Sequence, residues 1–296
     1  MNKALRSILK IAWITGMIVL VLFMLYPFIY SFLGALNNKS DFANMGTLLP
    51  IPKKVEFNNF TYAFSKTGIP PLLNTFYRTA WYTFWNVLVA ILIGYVMARY
   101  EFKGKKVFLV FIICSQVVPS VLTMIPSFVM MSKIPFMGGN NWMGMGGHGL
   151  INNPLVLYLP FGWGVLLWVF LFMQSMKSLP KDFEEAAEID GCNFRLTLTR
   201  VVLPMQKPIL AVIAANTALG TWNDWFTPFM YINRIKDSTL PAYIGMLATS
   251  LQEMSGDRDF PKLFGLSCVS IIPPLLIFLF FQKYIIQGIA SAGIKG

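Results

Sequence analysis

Glu184-Glu185-Ala186-Ala187-Glu188-Ile189-Asp190-Gly191, running on to Val201-Val202-Leu203-Pro204, is the stretch that decides how this chain is read. It lies between two long apolar segments, residues 155–173 and 209–229. The lead-in Leu179-Pro180-Lys181-Asp182 reads as a helix start. Pro180 suits a first turn, where its missing N–H is no loss, and the acids that follow complement the helix dipole. Ala186, Ala187 and Gly191 leave a low-relief surface that another protein can approach closely, and Gly191 can end the helix. A second short helix is expected from Phe194 to about Val202, stopped by Pro204. A polar helix tied at both ends to apolar helices is a means for a soluble partner to move a membrane protein. By composition alone, the same segment is a solvated helix with no partner.

The rest of the chain is built for lipid. Its 296 residues are 56% hydrophobic and 12% charged, with mean hydropathy +0.60. Soluble domains carry about a quarter charged residues. Half that value, with apolar runs of about 20 residues, means an integral membrane protein, and the length suits one helical bundle. The net charge of +11 invites a nucleic-acid reading. The Lys and Arg residues gather at the ends of apolar segments, however, and no basic, aromatic-interleaved soluble domain is present, so nucleic acid is excluded as a partner. Cys114 and Cys268 fall in apolar segments and Cys192 in the polar loop. None has a CxxC or Cys/His partner, which removes disulfide and zinc readings.

Six spans can be drawn: residues 11–32, 79–98, 107–130, 155–173, 209–229 and 263–284. At about 1.5 Å per residue each can cross a hydrocarbon core of about 30 Å. The first is too long for a signal-peptide core and is read as a retained span. Lys3, Arg6 and Lys10, then Arg99, Lys103, Lys105 and Lys106, then Lys177, Lys181, Arg195, Arg200 and Lys207, then Lys283 and Lys295 all fall on one side. The positive-inside rule makes that side the cytoplasm, so both termini and the polar loop are expected there. The organisation is thus an N-terminus and first span over 1–33, an external loop over 34–75, and a core over 76–296 that contains the polar loop at 180–208 and a C-terminal tail.

Helix breakers recur within spans: Pro119 and Pro126, Pro160 with Gly162 and Gly164, and Pro273-Pro274. Static kinks and rocking points are both open readings. Gln116, Ser120, Thr123 and Ser127 are spaced 4, 3 and 4 apart, as are Asn216, Gly220, Asn223 and Thr227, with Asp224 beside them. On continuous helices each set shares a face. Such residues either glue helices together or line a pathway. Ala90, Gly94 and Ala98 are more clearly a packing face. Asp224 is the one acid well inside a span, and no complementary intramembrane base is apparent, which counts against an ion-coupled carrier. His148 sits on a glycine- and methionine-rich outer loop that is expected to be loosely packed, and no metal site is assigned to it.

The order of residues in the polar loop overturns the partnerless reading. Glu185-Ala186-Ala187, then Gly191, then Val201-x-Leu203-Pro204 resembles the EAA loop of permease subunits of bacterial ABC importers, with Val201 where the family usually has Ile. Asn74-Thr75-Phe76-Tyr77-Arg78, Ala98-Arg99-Tyr100-Glu101-Phe102-Lys103-Gly104 and the tail 288–296 resemble the carbohydrate-uptake branch, the MalG-like permeases. The resemblance implies an all-α membrane protein of the type I ABC importer permease fold, with six transmembrane helices, in the bacterial inner membrane. It implies that Glu184, Glu185, Ala186, Ala187, Asp190, Gly191, Val201, Leu203 and Pro204 form coupling helices that seat on a separate ATPase. In MalG-like permeases the tail also approaches the ATPase dimer, which here would involve Gly293, Lys295 and Gly296.

The implied partners are a second permease subunit, an ABC ATPase dimer that binds the ATP and Mg, an external solute-binding protein, membrane lipid and a carbohydrate substrate. No cofactor is expected in this chain. Gln116, Ser120, Thr123, Asn216, Gly220, Asn223 and Asp224 are the candidate pathway residues. A phosphate loop of GxxxxGK[ST] type is absent from the sequence, so a motor must act in trans. No catalytic constellation lies within the spans. The alternative is an ion-coupled secondary transporter of a small polar solute.

Overall fold

The structure, a computed structural model, describes residues 3–45, 48–159, 165–253 and 259–293. Helices are the regular elements among these residues, with no strand among them. In chain order the helices are α1 (Lys3–Ala35), α2 (Lys39–Ala43), α3 (Asn58–Thr61), α4 (Ile69–Arg99), α5 (Lys105–Val117), α6 (Ser120–Ser132), α7 (Val165–Lys177), α8 (Asp182–Ile189), α9 (Phe194–Leu196), α10 (Leu203–Met205), α11 (Lys207–Asn223), α12 (Phe226–Tyr231), α13 (Leu240–Glu253) and α14 (Phe260–Gly293). Three are long and apolar enough to cross a membrane: Leu9–Ala35, Ile69–Arg99 and Phe260–Tyr284. The number rises to five if the bent pairs α5 with α6 and Phe194–Met205 with α11 each count as one span.

The breaks have local causes. Pro119 lacks an N–H and forces the residue before it out of the helical region. Val118 is accordingly extended (φ −74°, ψ 114°), and the chain turns by 103° between α5 and α6. The fifth drawn span is interrupted as well, because Asp224 is extended (φ −71°, ψ 93°) between α11 and α12. Pro70 and Pro71 lie in the first turn of α4, which tolerates proline, so α4 starts inside the stretch 34–75 expected as an external loop. Pro273 and Pro274 lie inside α14. Pro160, Gly162 and Gly164 lie outside the described residues, and the fourth drawn span is represented by the 13 residues of α7.

The contacts divide the chain into two units. The first comprises residues 1–69 and 244–272. Its packing is aromatic: Phe264 meets Tyr30 at 5.9 Å and Phe42 at 5.6 Å between ring centroids. Asn59 Nδ2 donates to the carbonyls of Ala35 (2.8 Å) and Asn37 (2.9 Å), which terminates α1.

The second unit, residues 70–243 and 273–296, carries two buried clusters. One joins Ala90 and Tyr95 of α4 to Phe172 and Met176 of α7, Leu198 and Val202 of the polar loop, and Ile213 of α11. Here Ala90, Gly94 and Ala98 are the packing face that their spacing predicts: a Cβ on Gly94 would lie 2.9 Å from the Phe172 ring and 3.1 Å from the Val169 carbonyl oxygen. The other cluster joins Met131, Leu150, Val156 and Leu157 to Tyr231 and Ile232. It underlies the glycine-rich loop, which is tightly rather than loosely folded. Asn140 Nδ2 donates to the carbonyls of Ser132 (2.9 Å) and Ile134 (3.0 Å), and Asn140 Oδ1 accepts from Gly147 N. A Cβ on Gly147 would sit 2.2 Å from the Gly138 carbonyl oxygen, so glycine is required for that approach.

Candidate functional site

The polar loop is built from inside outward. Helix α8 has Asp182, Glu184 and Glu185 in its first turn, where they favour the dipole. Glu184 turns inward and is 8% exposed. Its Oε2 accepts the Tyr95 hydroxyl at 2.6 Å, and its Oε1 lies 2.6 Å from both Nε and Nη2 of Arg99. Arg99 Nη2 also donates to the Leu179 carbonyl at 3.0 Å. Tyr95 and Arg99 are one turn apart on α4, so α8 is pinned to the end of that helix by two side chains on one face. Glu184, grouped in the sequence with residues facing a partner, is therefore an internal anchor.

Its neighbour Glu185 is exposed, as are Ala186, Asp190 and Gly191. Ala187 is buried at 6%. Two large apolar residues on the same short helix face out, Phe183 at 46% and Ile189 at 87% exposure. Gly191 ends α8 with φ +77°, and no atom lies within 4 Å of a Cβ built there. Backbone conformation and not crowding demands glycine at this position.

After Gly191 the chain restarts with Asn193 as cap, its Oδ1 accepting from Leu196 N at 3.0 Å. Helical backbone continues to Met205, past the expected stop, and Thr197–Val202 is wound as a π-helix. Leu198 and Val202 are buried against α4, α7 and α11, while Val201 and Leu203 are half-buried and Pro204 is exposed. Gln206 marks the 77° corner into α11 and accepts the Ser175 hydroxyl of α7. The loop is thus attached to α4, α7 and α11 at once.

A second arrangement lies on α4 and α11. Asp224 has a basic partner that the sequence did not reveal: Arg78 Nη2 donates to Asp224 Oδ2 at 2.7 Å. Arg78 Nε and Nη1 donate to the Leu157 and Thr221 carbonyls, each at 3.3 Å, and its guanidinium lies 5.1 Å from the Tyr82 ring centroid. The lack of an intramembrane base for Asp224 is corrected accordingly. Asp224 Oδ1 in turn accepts from Thr227 N, in the first turn of α12, at 3.0 Å.

A cavity of about 260 Å³ opens beside this pair. Asn216, Gly220, Asp224 and Thr227 line it, although Thr227 belongs to α12 and not to α11. Asp224 and Thr227 also line a larger hollow of about 370 Å³ faced by Ser127, Met124 and Met230. Asn223 is exposed at the end of α11. Gln116 is separated from its presumed companions: it lies on α5, whereas Ser120, Thr123 and Ser127 lie on α6 beyond the Pro119 break. Gly293 ends α14, and Lys295 and Gly296 lie outside the described residues. Sequence reading passed over Tyr95, Asn86, Trp168 and Thr217, and gave Arg99 a place in membrane orientation and in the Ala98–Gly104 motif but no role in holding the polar loop. The spacing of Tyr95 and Arg99 by one helical turn was a visible signal; the others carried none.

The comparisons with known proteins bear on the family and the fold. Residues 90–291 match the family described as binding-protein-dependent transport system inner membrane component. The chain is 30% identical to the arabinooligosaccharides transport system permease protein AraQ of Bacillus subtilis, over 98% of this chain and 97% of that one. It is 25% identical to the trehalose/maltose transport system permease protein MalG of Thermococcus litoralis, over 97% of each. Its fold matches, with TM-score 0.73 and 22% identity, a chain in the crystal structure of a bacterial ABC transporter involved in the import of the acidic polysaccharide alginate, covering 96% of this chain and 98% of that one.

Proposed function

We infer the role of this chain from one premise: it belongs to the family of binding-protein-dependent transport system inner membrane components. It is a permease subunit of an ABC importer, a membrane translocation component and not an enzyme. We propose that it forms half of the pathway for a sugar or oligosaccharide, as the names of its relatives suggest. We further propose six membrane crossings, with α5 and α6 together counted as one and with α11 and the segment containing α7 each counted as one, and both termini and the polar loop in the cytoplasm of a bacterial cell.

The observation that carries the mechanism is α8 itself. A short polar helix presents Phe183, Ala186 and Ile189 outward while Glu184 is locked to Arg99 and Tyr95. Exposed apolar residues on a segment outside the lipid mark a protein-interaction surface. We assign that surface to the ATPase, with Glu185, Asp190 and Gly191 at its edge. Closure of an ATP-bound dimer would displace α8 as a rigid body, and the anchors to α4, α7 and α11 would carry the displacement into the membrane helices. The polar cavity beside Asp224 would then be exposed in turn to a solute-binding protein outside and to the cytoplasm inside. A second permease subunit completes the pathway, and the tail from Gly293 adds a further ATPase contact.

The test is a cysteine at position 189 in the assembled importer. Ile189→Cys is expected to crosslink to the ATPase, at a yield that changes between nucleotide-free and ATP-bound states. An importer that assembles and hydrolyses ATP without any such crosslink would refute the assignment of α8.

A further inference from the structure

The cavity beside the Arg78–Asp224 pair contains polar atoms for which the fold supplies no partner. Asn86 is 1% exposed and Thr217 6%. Asn86 Nδ2 donates to the Tyr82 carbonyl at 2.9 Å, but Asn86 Oδ1 and Thr217 Oγ1 are both buried without a hydrogen bond. Both residues line the cavity. Leaving such an atom unpaired is costly, which makes its presence in a cavity wall an indication of something that comes to meet it. Asn86 Oδ1 needs an O–H or N–H donor, and Thr217 Oγ1 can donate or accept.

The electrostatics of the wall narrow the class of visitor. Arg78 and Asp224 are the charged residues that line the cavity. The Arg78 guanidinium is committed to Asp224, Leu157 and Thr221, and its side chain is 5% exposed. The Asp224 side chain is 26% exposed. The pair is neutral as a whole, yet the end it turns to the open space is the carboxylate. That end accepts hydroxyl donors and repels anions. Trp168 and Tyr82 also line the cavity. Aromatic side chains in a wall that also carries hydroxyl-binding groups suit a sugar ring, whose C–H face is apolar and whose rim is hydroxyl. At about 260 Å³ the space falls below the range of about 300–1,000 Å³ typical of drug-sized ligands, and suits one ring at a time.

Building on the reading of this chain as an importer permease, we infer that this cavity is a saccharide subsite that takes one neutral sugar ring, through Asn86, Thr217 and Asp224 with Trp168 in its wall, and disfavours uronates. The subunit thus adds its own selection in the membrane after the binding protein has made its choice.

The test uses the complete importer in proteoliposomes with radiolabelled arabinotriose, maltotriose and trigalacturonate, and reads sugar moved per ATP hydrolysed. The wild-type complex is expected to move a neutral trisaccharide and to move trigalacturonate at least tenfold less. Thr217→Val, which exchanges a hydroxyl for a methyl of similar size, is expected to lower the sugar-per-ATP ratio about tenfold, and Thr217→Ser to restore it. A ratio unchanged by Thr217→Val overturns the inference, because helix packing or a contact with the other permease would lower uptake and hydrolysis together. Equal movement of trigalacturonate overturns it as well. A wild-type complex that couples ATP to none of the three sugars counts instead against the preceding proposal of sugar import, and takes this inference with it.

Discussion

Removing the Glu184 carboxylate is the most informative single change to the polar loop. In Glu184→Ala the Arg99 guanidinium keeps the Leu179 carbonyl but loses its counter-charge, and the Tyr95 hydroxyl loses its acceptor. Two unit charges about 4 Å apart attract by about 4 kcal/mol at an effective dielectric of about 20. Desolvation offsets part of that in the intact pair, whereas breaking a buried pair from one side costs about 3–5 kcal/mol, since the remaining charge stays behind uncompensated. The two side chains keep 8% and 11% exposure, which argues for the lower end, about 3 kcal/mol. The Tyr95 bond is part of this figure and does not add to it. A loss of about 3 kcal/mol in the attachment of α8 to α4 raises the detached population about a hundredfold.

Amide hydrogen exchange over residues 183–191 in the assembled importer reads that population directly. Exchange is expected to speed up by up to two orders of magnitude in Glu184→Ala while ATP hydrolysis persists without matching transport. Glu185→Ala removes an exposed carboxylate one position away. It should leave exchange in the free permease unchanged, since exposed substitutions shift stability by about 0.5 kcal/mol or less, and should weaken ATPase association instead. Equal exchange in wild type and Glu184→Ala would refute the reasoning.

Gly191→Ala forces a Cβ onto a backbone at φ +77°, a strain of about 1–2 kcal/mol, and is expected to fray the end of α8, seen as faster exchange at Asp190 to Asn193. Gly94→Val drives a branched side chain into the Phe172 ring and the Val169 backbone, overpacking that typically costs about 1–3 kcal/mol. Purified protein should show a lowered unfolding midpoint in detergent. Asp224→Ala leaves Arg78 buried without a counter-charge at a cost of about 3–5 kcal/mol. The double variant with Arg78→Ala is expected to be more stable than Asp224→Ala alone in thermal unfolding, and strict additivity of the two losses would disprove the coupling.

What could be read from the sequence was local. The polar loop announced itself because its signals lie close together along the chain, between Leu179 and Pro204: acids in a first turn, small residues, a terminal glycine and a proline. The packing face of Ala90, Gly94 and Ala98 was legible for the same reason. The anchor of that loop was not, because Glu184 meets Tyr95 and Arg99 across 89 and 85 positions of chain. Asp224 looked solitary because its partner Arg78 is 146 residues away and stands one residue before the span as drawn. The supposed face of Gln116, Ser120, Thr123 and Ser127 failed for a different reason. Helical spacing holds while the helix is continuous, and Pro119 ends it between the first and second of those residues.

ATP-driven uptake by the reconstituted importer tests the central claim most directly. Proteoliposomes containing this permease with its second permease and ATPase are supplied with loaded solute-binding protein, and accumulation of labelled oligosaccharide is followed. The account predicts uptake that requires both ATP and the binding protein and continues after ionophores collapse every ion gradient. Uptake that proceeds without ATP and stops when an ion gradient is collapsed would contradict it.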